Sequence, residues 1–321
     1  MRVRARRRDG FALMAALWLV VIVGVTGYEL SVHSRSRRLA VANSLEKVAA
    51  DAAAEAALET VRAGLESRLA HPLDARSQFL RDAAFDPWSD LAFVHHDTLL
   101  LGDERATMQA YDAGSRLQLN RASESDIRRL LAGLLMDASV ADRLAQSIMD
   151  WRDPDNFRRV RGAERDDYLR AGARVLPSNA DFDRVSELRD VDGMTPELYT
   201  RVAPYLTVFG TGQININSAP APVLRSLPGL GSEAVETILR AQKTTRPFRT
   251  LEELTNRLSS GGRAAIVDAG SELMQRITFE TREVVVEADG WVDGSPLRTR
   301  ADALYARGGD ALFTVSRRIG L

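Results

Sequence analysis

Six carboxylates crowd one short stretch of the chain: Asp150, Asp153, Asp155, Glu164, Asp166 and Asp167, within DWRDPDNFRRVRGAERDD. Hard oxygen donors at alternating positions suit Ca²⁺, which gathers carboxylates, carbonyls and water around itself. The same stretch carries Arg152, Arg158, Arg159, Arg161 and Arg165. Five guanidiniums against six carboxylates leave a formal charge of −1. Direct ion pairing is therefore a second way to neutralise the acids, without a metal. Paired carboxylates also permit glycoside hydrolysis, but no aromatic-lined cleft is evident around these.

A second constellation is Pro228-Gly229-Leu230-Gly231-Ser232, followed by Arg240 and Lys243. Glycines allow close approach of a ligand, and the amides at a helix N-terminus attract phosphate. The segment resembles the helix-hairpin-helix of DNA-binding modules, including membrane-anchored competence receptors. Glu233 and Glu236 stand at the start of the following helix, where they complement its dipole but repel phosphate. A structural hairpin is the expectation, with no nucleic-acid partner.

Composition narrows the remaining chemistry. The 321 residues are 45% hydrophobic and 27% charged, with a net charge of −1, so no global basic field points to nucleic acid. Cysteine is absent, which excludes disulfides, thiolate catalysis and Cys-ligated metals. His33, His71, His95 and His96 all precede residue 100. The His95-His96 pair is read as solvated. No nucleophile and base signature marks an enzyme.

The acids must be positioned by helices. From Ser123 the spacing of Ile127, Leu130, Leu131, Leu134 and Leu135 gives one apolar face, and Ser123 with Asp126 suits an N-cap. A second helix, about Ser139 to Trp151, runs into the acidic loop, and GAERDDYLRAG gives the next. Thr195-Pro196-Glu197 opens a fourth, with Pro at the first helical position. Strand-like runs flank this helical block. LAFVHHDTLLLG and ATMQAYDAGSRLQLN precede it, QININ follows, and two short helices and a Thr250/Glu253 capping box come next. From Arg276 the chain turns to strands, with turns expected at Asp289-Gly290 and Asp293-Gly294.

The N-terminus supplies the support for all of this. Five arginines, Arg2, Arg4, Arg6, Arg7 and Arg8, precede an uncharged apolar run from Phe11 to Tyr28, long enough as a helix to cross a bilayer. The positive-inside rule places that end in the cytoplasm and the rest outside. Helical periodicity then continues through Val41, Leu45, Val48, Ala52, Val61 and Leu65 to about Ala70, before Pro72. One long helix, half in the membrane and half amphipathic, is expected. A cleaved secretory signal ending near Gly24 to Gly27 and a plain signal anchor are the alternatives.

The basic leader ending Arg8-Asp9-Gly10-Phe11 resembles that of the type IV pilin-like family. The resemblance implies cleavage after Gly10 by a prepilin peptidase and methylation of a new N-terminal Phe11. Where pilin-like subunits carry a Glu five residues into the mature chain, this one has Ala15. That departure is similar to the K-type minor pseudopilin of type II secretion, general secretion pathway protein K. LQLN at 117 to 120, QSIMDWRDPD, GAE at 162 to 164 with Tyr168, Glu187-Leu188 and Ile214 to Ala219 follow in the family's order.

The implied fold is α+β, a long N-terminal helix packed on a small antiparallel, pilin-like sheet with a large inserted helical domain. The leader would be residues 1–10, the transmembrane part 11–30, the periplasmic part of the helix 31–70, the pilin-like body 71–120 plus 206–321, and the insert 121–205. The resemblance further implies a calcium-stabilised insert and a single-pass inner-membrane protein with its bulk in the periplasm. Its partners would be the other minor and major pseudopilins. Its function would be to cap the pseudopilus tip, with Ala15 as the marker of that position. A membrane-anchored DNA-uptake receptor is the alternative.

Overall fold

The computed structural model describes residues 9–70, 86–89, 91, 98–244, 247–309 and 311–320. The His95-His96 pair and half of the first strand-like run, residues 92–97, lie outside these. Helix α1 (Asp9–Ala70) is a single element, as expected, with Gly10 and Phe11 in its first turn. Alanine-rich sequence from Ala49 to Ala57 favours helix strongly. Ala50, Ala54, Ala57, Leu58, Val61 and Leu65 recur at three- and four-residue steps and are buried. From Leu13 through Leu45 the helix is exposed.

The buried stripe lies on a five-stranded sheet in the order β1-β2-β7-β8-β9, with every pair antiparallel. Its strands are β1 (Leu99–Leu101), β2 (Glu104–Asp112), β7 (Glu283–Val292), β8 (Arg298–Gly308) and β9 (Ala311–Ile319). Alternation fills the side facing α1 with Ala106, Ala110, Val284, Val286, Ala288, Ala301, Ala303 and Tyr305. Val285 and Leu304 point the other way, toward Ala113 and Phe209. Tyr305 donates from its hydroxyl to the Leu58 carbonyl at 3.2 Å, fixing helix to sheet.

Asp289-Gly290, expected as a turn, sits inside β7 instead. The α1 backbone passes so close over Gly290 that a Cβ there would meet the Ala50 carbonyl oxygen and, at 2.6 Å, the Ala54 amide nitrogen. Glycine is present for that approach rather than for a bend. The expected turn at Asp293-Gly294 is present, with Gly294 at φ +77°.

Between β2 and β7 the chain builds a separate helical core. It contains α2 (Glu124–Leu135), α3 (Ala138–Arg152), α4 (Arg165–Arg170), α5 (Pro196–Val202), α6 (Ala221–Ser226), α7 (Ser232–Lys243), α8 (Leu251–Thr255) and α9 (Ser260–Arg276). Two short parallel pairs close it: β3 (Leu117–Gln118) on β4 (Leu206–Thr207), and β5 (Ile214–Asn215) on β6 (Ile277–Thr278). Its buried residues form one cluster from Leu117 to Ile277. The packing therefore does not break at residue 205, where the insert was expected to end. Val223, Leu224, Val235, Ile238, Leu254 and Leu273 join the same core as Leu130 and Ile148. The helices after QININ belong with the insert, not with the sheet.

Candidate metal centre

Helix α3 delivers the first acids. The Asp137 side chain caps its start, and Ala141, Leu144, Ala145 and Ile148 bury one face. That phase turns Asp150 and Trp151 inward at its last turn, both buried. Trp151 meets Tyr168 edge-on with ring centroids 5.7 Å apart and stacks on Phe182 at 6.1 Å. These contacts fix the exit of α3 against α4 and frame the loop of residues 153–164. Across the loop, Asn179 adopts a left-handed backbone (φ +49°). It donates from its side-chain amide to the Asp155 carbonyl at 2.7 Å and from its backbone to the Trp151 carbonyl at 3.0 Å.

Of the six acids, Asp153, Asp155 and Glu164 converge, with one oxygen of each within 4.8 Å of the others. Asp150 stands behind them, completely buried and paired to Arg159, whose Nη1 lies 2.6 Å from Asp150 Oδ1 and 2.5 Å from Asp153 Oδ2. The Arg159 backbone N–H adds a 3.1 Å bond to Asp150 Oδ2. Asp167 is turned away, accepting from Arg170 at 2.6 Å and, through its other oxygen, from the Glu164 backbone N–H at 3.0 Å. Asp166 is exposed in the first turn of α4.

The arginines therefore neutralise only part of the cluster. Arg152 leaves it altogether and donates to the carbonyls of Leu119 and Ala122. Arg161 faces Asp142 at 3.4 Å. Glu164 is 4% exposed, and both its carboxylate oxygens, together with Asp153 Oδ1, are buried without a hydrogen-bond partner. Burial, followed by the charges of Asp150 and Asp153, pushes the Glu164 carboxyl up to about 7. Asp150 is also raised, by burial first, against the opposing hydrogen bonds of Arg159. Both orphaned oxygens of the buried Glu164 and one of the half-buried Asp153, beside the exposed carboxylate of Asp155, form a donor set that fits a hard cation.

Sequence reasoning identified the acids but not their supports. Gly162 is one: a Cβ there would collide with the Asp150 carboxylate. Asn179 is another, and nothing in the local sequence ties it to a loop more than 20 residues earlier.

The glycine hairpin between α6 and α7 is used internally. Gly229, at φ +75°, lies against α9, where a Cβ would come 2.7 Å from the Ala265 carbonyl oxygen. Glu233 accepts from the Ser259 backbone at 2.7 Å and from its hydroxyl at 2.6 Å, just before α9 begins. That ties the hairpin to α9 and keeps a carboxylate where phosphate would have to sit.

A long helix, exposed and apolar at one end and laid on an antiparallel sheet at the other, defines a pilin-like subunit. Its helix is long and apolar enough to cross a membrane. The chain belongs to the type II secretion system protein K family: two family models described as type II secretion system (T2SS), protein K match residues 105–211 and 214–273. Among curated relatives, the type II secretion system protein K of Dickeya chrysanthemi is 27% identical over 60% of this chain and 53% of its own. That of Pseudomonas aeruginosa is 30% identical over 44% of this chain and 42% of its own. The chain thus spans about half the length of the curated relatives it matches, or less. The crystal structure of the GspK-GspI-GspJ complex from the enterotoxigenic Escherichia coli type 2 secretion system shares the fold. Its TM-score is 0.59 at 18% identity, covering 83% of this chain and 96% of that one. The family supports the role of a minor pseudopilin.

Proposed function

We propose that this minor pseudopilin caps the tip of an inner-membrane pseudopilus and supports protein export across the outer membrane. The observation that carries the reading is the position of the helical core, attached between β2 and β7, which pair in register from Glu104 with Val292 to Asp112 with Val284. The sheet is completed around the insertion, so the bulk stands beside a finished pilin-like body. A filament that grows by adding subunits at the membrane keeps its first subunit outermost, and only there is a wide domain accommodated. Ala15 fits the same position, because a carboxylate at that depth is costly without a partner amine above it.

The neighbouring structure is named as a complex with GspI and GspJ, and by analogy the corresponding minor pseudopilins are the proposed partners here. Val41, Leu45 and Val48 follow one another at four and three residues and are exposed on α1. They offer the apolar face on which neighbouring helices would pack. By the positive-inside rule the arginine-rich start supports a cytoplasmic N-terminus and a periplasmic body, with Gly10-Phe11 as the proposed peptidase site. Ca²⁺ held by Asp153, Asp155 and Glu164 would stiffen the loop of the insert. The role is assembly, without catalysis. Antibody against the chain should decorate one end of sheared pseudopili; decoration along the shaft overturns the assignment. A mature chain beginning at methylated Phe11, blocked by Gly10→Val, is the matching result from mass spectrometry.

A further inference from the structure

We propose that Arg159 is a tethered counter-cation: it lets the acidic corner of the helical core fold without metal, so that calcium binds a finished structure instead of being needed to build it. The proposal rests on the calcium reading above for the identity of the ion. Four carboxylates meet in this corner, Asp150, Asp153, Asp155 and Glu164, and among the described residues every salt bridge to them comes from Arg159. Its Nη1 lies 2.6 Å from Asp150 Oδ1 and 2.5 Å from Asp153 Oδ2. Those separations are close to the ~2.3–2.6 Å at which Ca²⁺ itself takes oxygen ligands. Nε faces Glu124 Oε2, in the first turn of α2, at 3.5 Å. The guanidinium is thus set among carboxylates from α2, α3 and the loop, as a bound ion would be. Asp153 divides its carboxylate: Oδ2 goes to Arg159, while Oδ1 is buried without a hydrogen-bond partner.

The need for such a residue comes from Asp150. Its side chain is completely buried, and the Gly162 backbone lies directly against it. A buried carboxylate deprived of its partner is strongly destabilising, and a metal site usually forms only as its metal binds. A guanidinium attached to the chain is present at one equivalent whatever the free calcium concentration, and it is always charged. The corner can therefore close around Arg159 first. One guanidinium does not balance four carboxylates, so the closed corner still attracts a cation.

Thermal melts of the full chain in detergent micelles, in EDTA and then in Ca²⁺, test this with Arg159→Met, which keeps an apolar stem and removes the charge. The parent should melt cooperatively in EDTA. R159M should melt about 5–10 °C lower there, as expected when a buried carboxylate is stranded. Ca²⁺ should return most of that loss, so the variant's calcium shift exceeds the parent's. D150N/R159M, which also removes the stranded charge, should recover in EDTA and gain less from Ca²⁺ than R159M does. An R159M midpoint equal to the parent's in EDTA overturns the proposal. So does an R159M loss of the same size in EDTA and in Ca²⁺, which makes Arg159 an ordinary structural pair. If the parent responds to Ca²⁺ in that case, the calcium reading survives alone. A parent indifferent to Ca²⁺ beside an R159M variant rescued by it does the reverse: the native calcium site is discarded and Arg159 is kept as the corner's own cation. If R159M folds in neither buffer, R159K decides, since it keeps the charge on a differently shaped head. Its loss in EDTA should shrink in Ca²⁺, and a loss that calcium leaves unchanged overturns the proposal.

Discussion

Asp112, the last residue of β2, accepts a hydrogen bond from the Asn215 side-chain amide at 2.6 Å, a contact spanning 103 positions of sequence. The same oxygen accepts from Ser218 at 2.7 Å and Thr281 at 3.1 Å, and the other oxygen from the Gly114 backbone at 2.8 Å. One carboxylate thus joins the edge of the sheet to the start and the end of the second half of the helical core.

Removing that carboxylate leaves buried donors without acceptors. Asp112→Ala should cost about 2–4 kcal/mol, since each unsatisfied buried group carries roughly 1–3 kcal/mol. Asp112→Asn keeps the shape and one acceptor and should cost less. Urea denaturation midpoints of the two variants check the order.

Calcium should bind the folded chain at Asp153, Asp155 and Glu164. A ligand that binds only the native state raises its stability by RT ln(1 + [L]/Kd), about 2.7 kcal/mol at a hundredfold excess over Kd. Thermal melts in EDTA and then in Ca²⁺ should differ accordingly, and Glu164→Gln should remove most of the difference. Identical midpoints assign the loop to Arg159 alone.

Without calcium the same residue gives a pH signature. The Glu164 carboxyl rises from 4.5 to about 7 on folding, so the folded state binds a proton that the unfolded state has released. The advantage of the protonated form is complete below about pH 4.5 and is lost as pH rises through 7. The metal-free chain should therefore lose up to about 3 kcal/mol between those limits from this group. Glu164→Gln should flatten that part of the stability profile. Calcium should act in the opposite sense, binding more tightly as the proton leaves.

Gly290→Ala should be among the most damaging single-methyl additions in the chain. The new Cβ would press on the α1 backbone at Ala50 and Ala54, both parts of a helix that cannot yield locally. Overpacking of this kind typically costs about 1–3 kcal/mol. The comparison is Gly133, on an open helix face with nothing within 4 Å, where Gly→Ala should be neutral or stabilising. Chemical denaturation of both variants separates steric clash from helix propensity.

The local parts of this fold are legible in the sequence because their causes are local. Ser123 accepts from the Asp126 amide at 3.2 Å while Asp126 returns a bond to the Ser123 N–H at 3.1 Å, as the spacing of the two residues predicts. Thr195 and Thr250 also cap their helices, accepting from the Leu198 and Glu253 amides, but the expected Thr250/Glu253 box is not reciprocal: the Glu253 carboxylate accepts from the Arg249 N–H instead. Gly290 was misread because Asp-Gly is a turn signal over two residues, whereas its cause here is a helix some 240 positions away. The boundary at 205 failed for a related reason. Periodicity shows that Val235 and Ile238 face a core, but not which core they face. Among the acids, composition exposed the cluster but could not choose members, since the direction of the chain after Asp153 is set by Trp151, Tyr168 and Phe182.

The uncovered stretch of α1, Ser31 to Leu45, is a drive shaft between the apolar N-terminal segment and the body. A helix transmits rotation as well as distance: each residue advances the chain about 1.5 Å and turns it about 100°. Deleting one residue from this stretch would barely shorten the protein, yet it would swing the whole body more than a quarter turn relative to the apolar N-terminal segment. The azimuth at which the helical core faces its neighbours is thus encoded by a residue count, and a change of about seven residues, close to two full turns, nearly restores it.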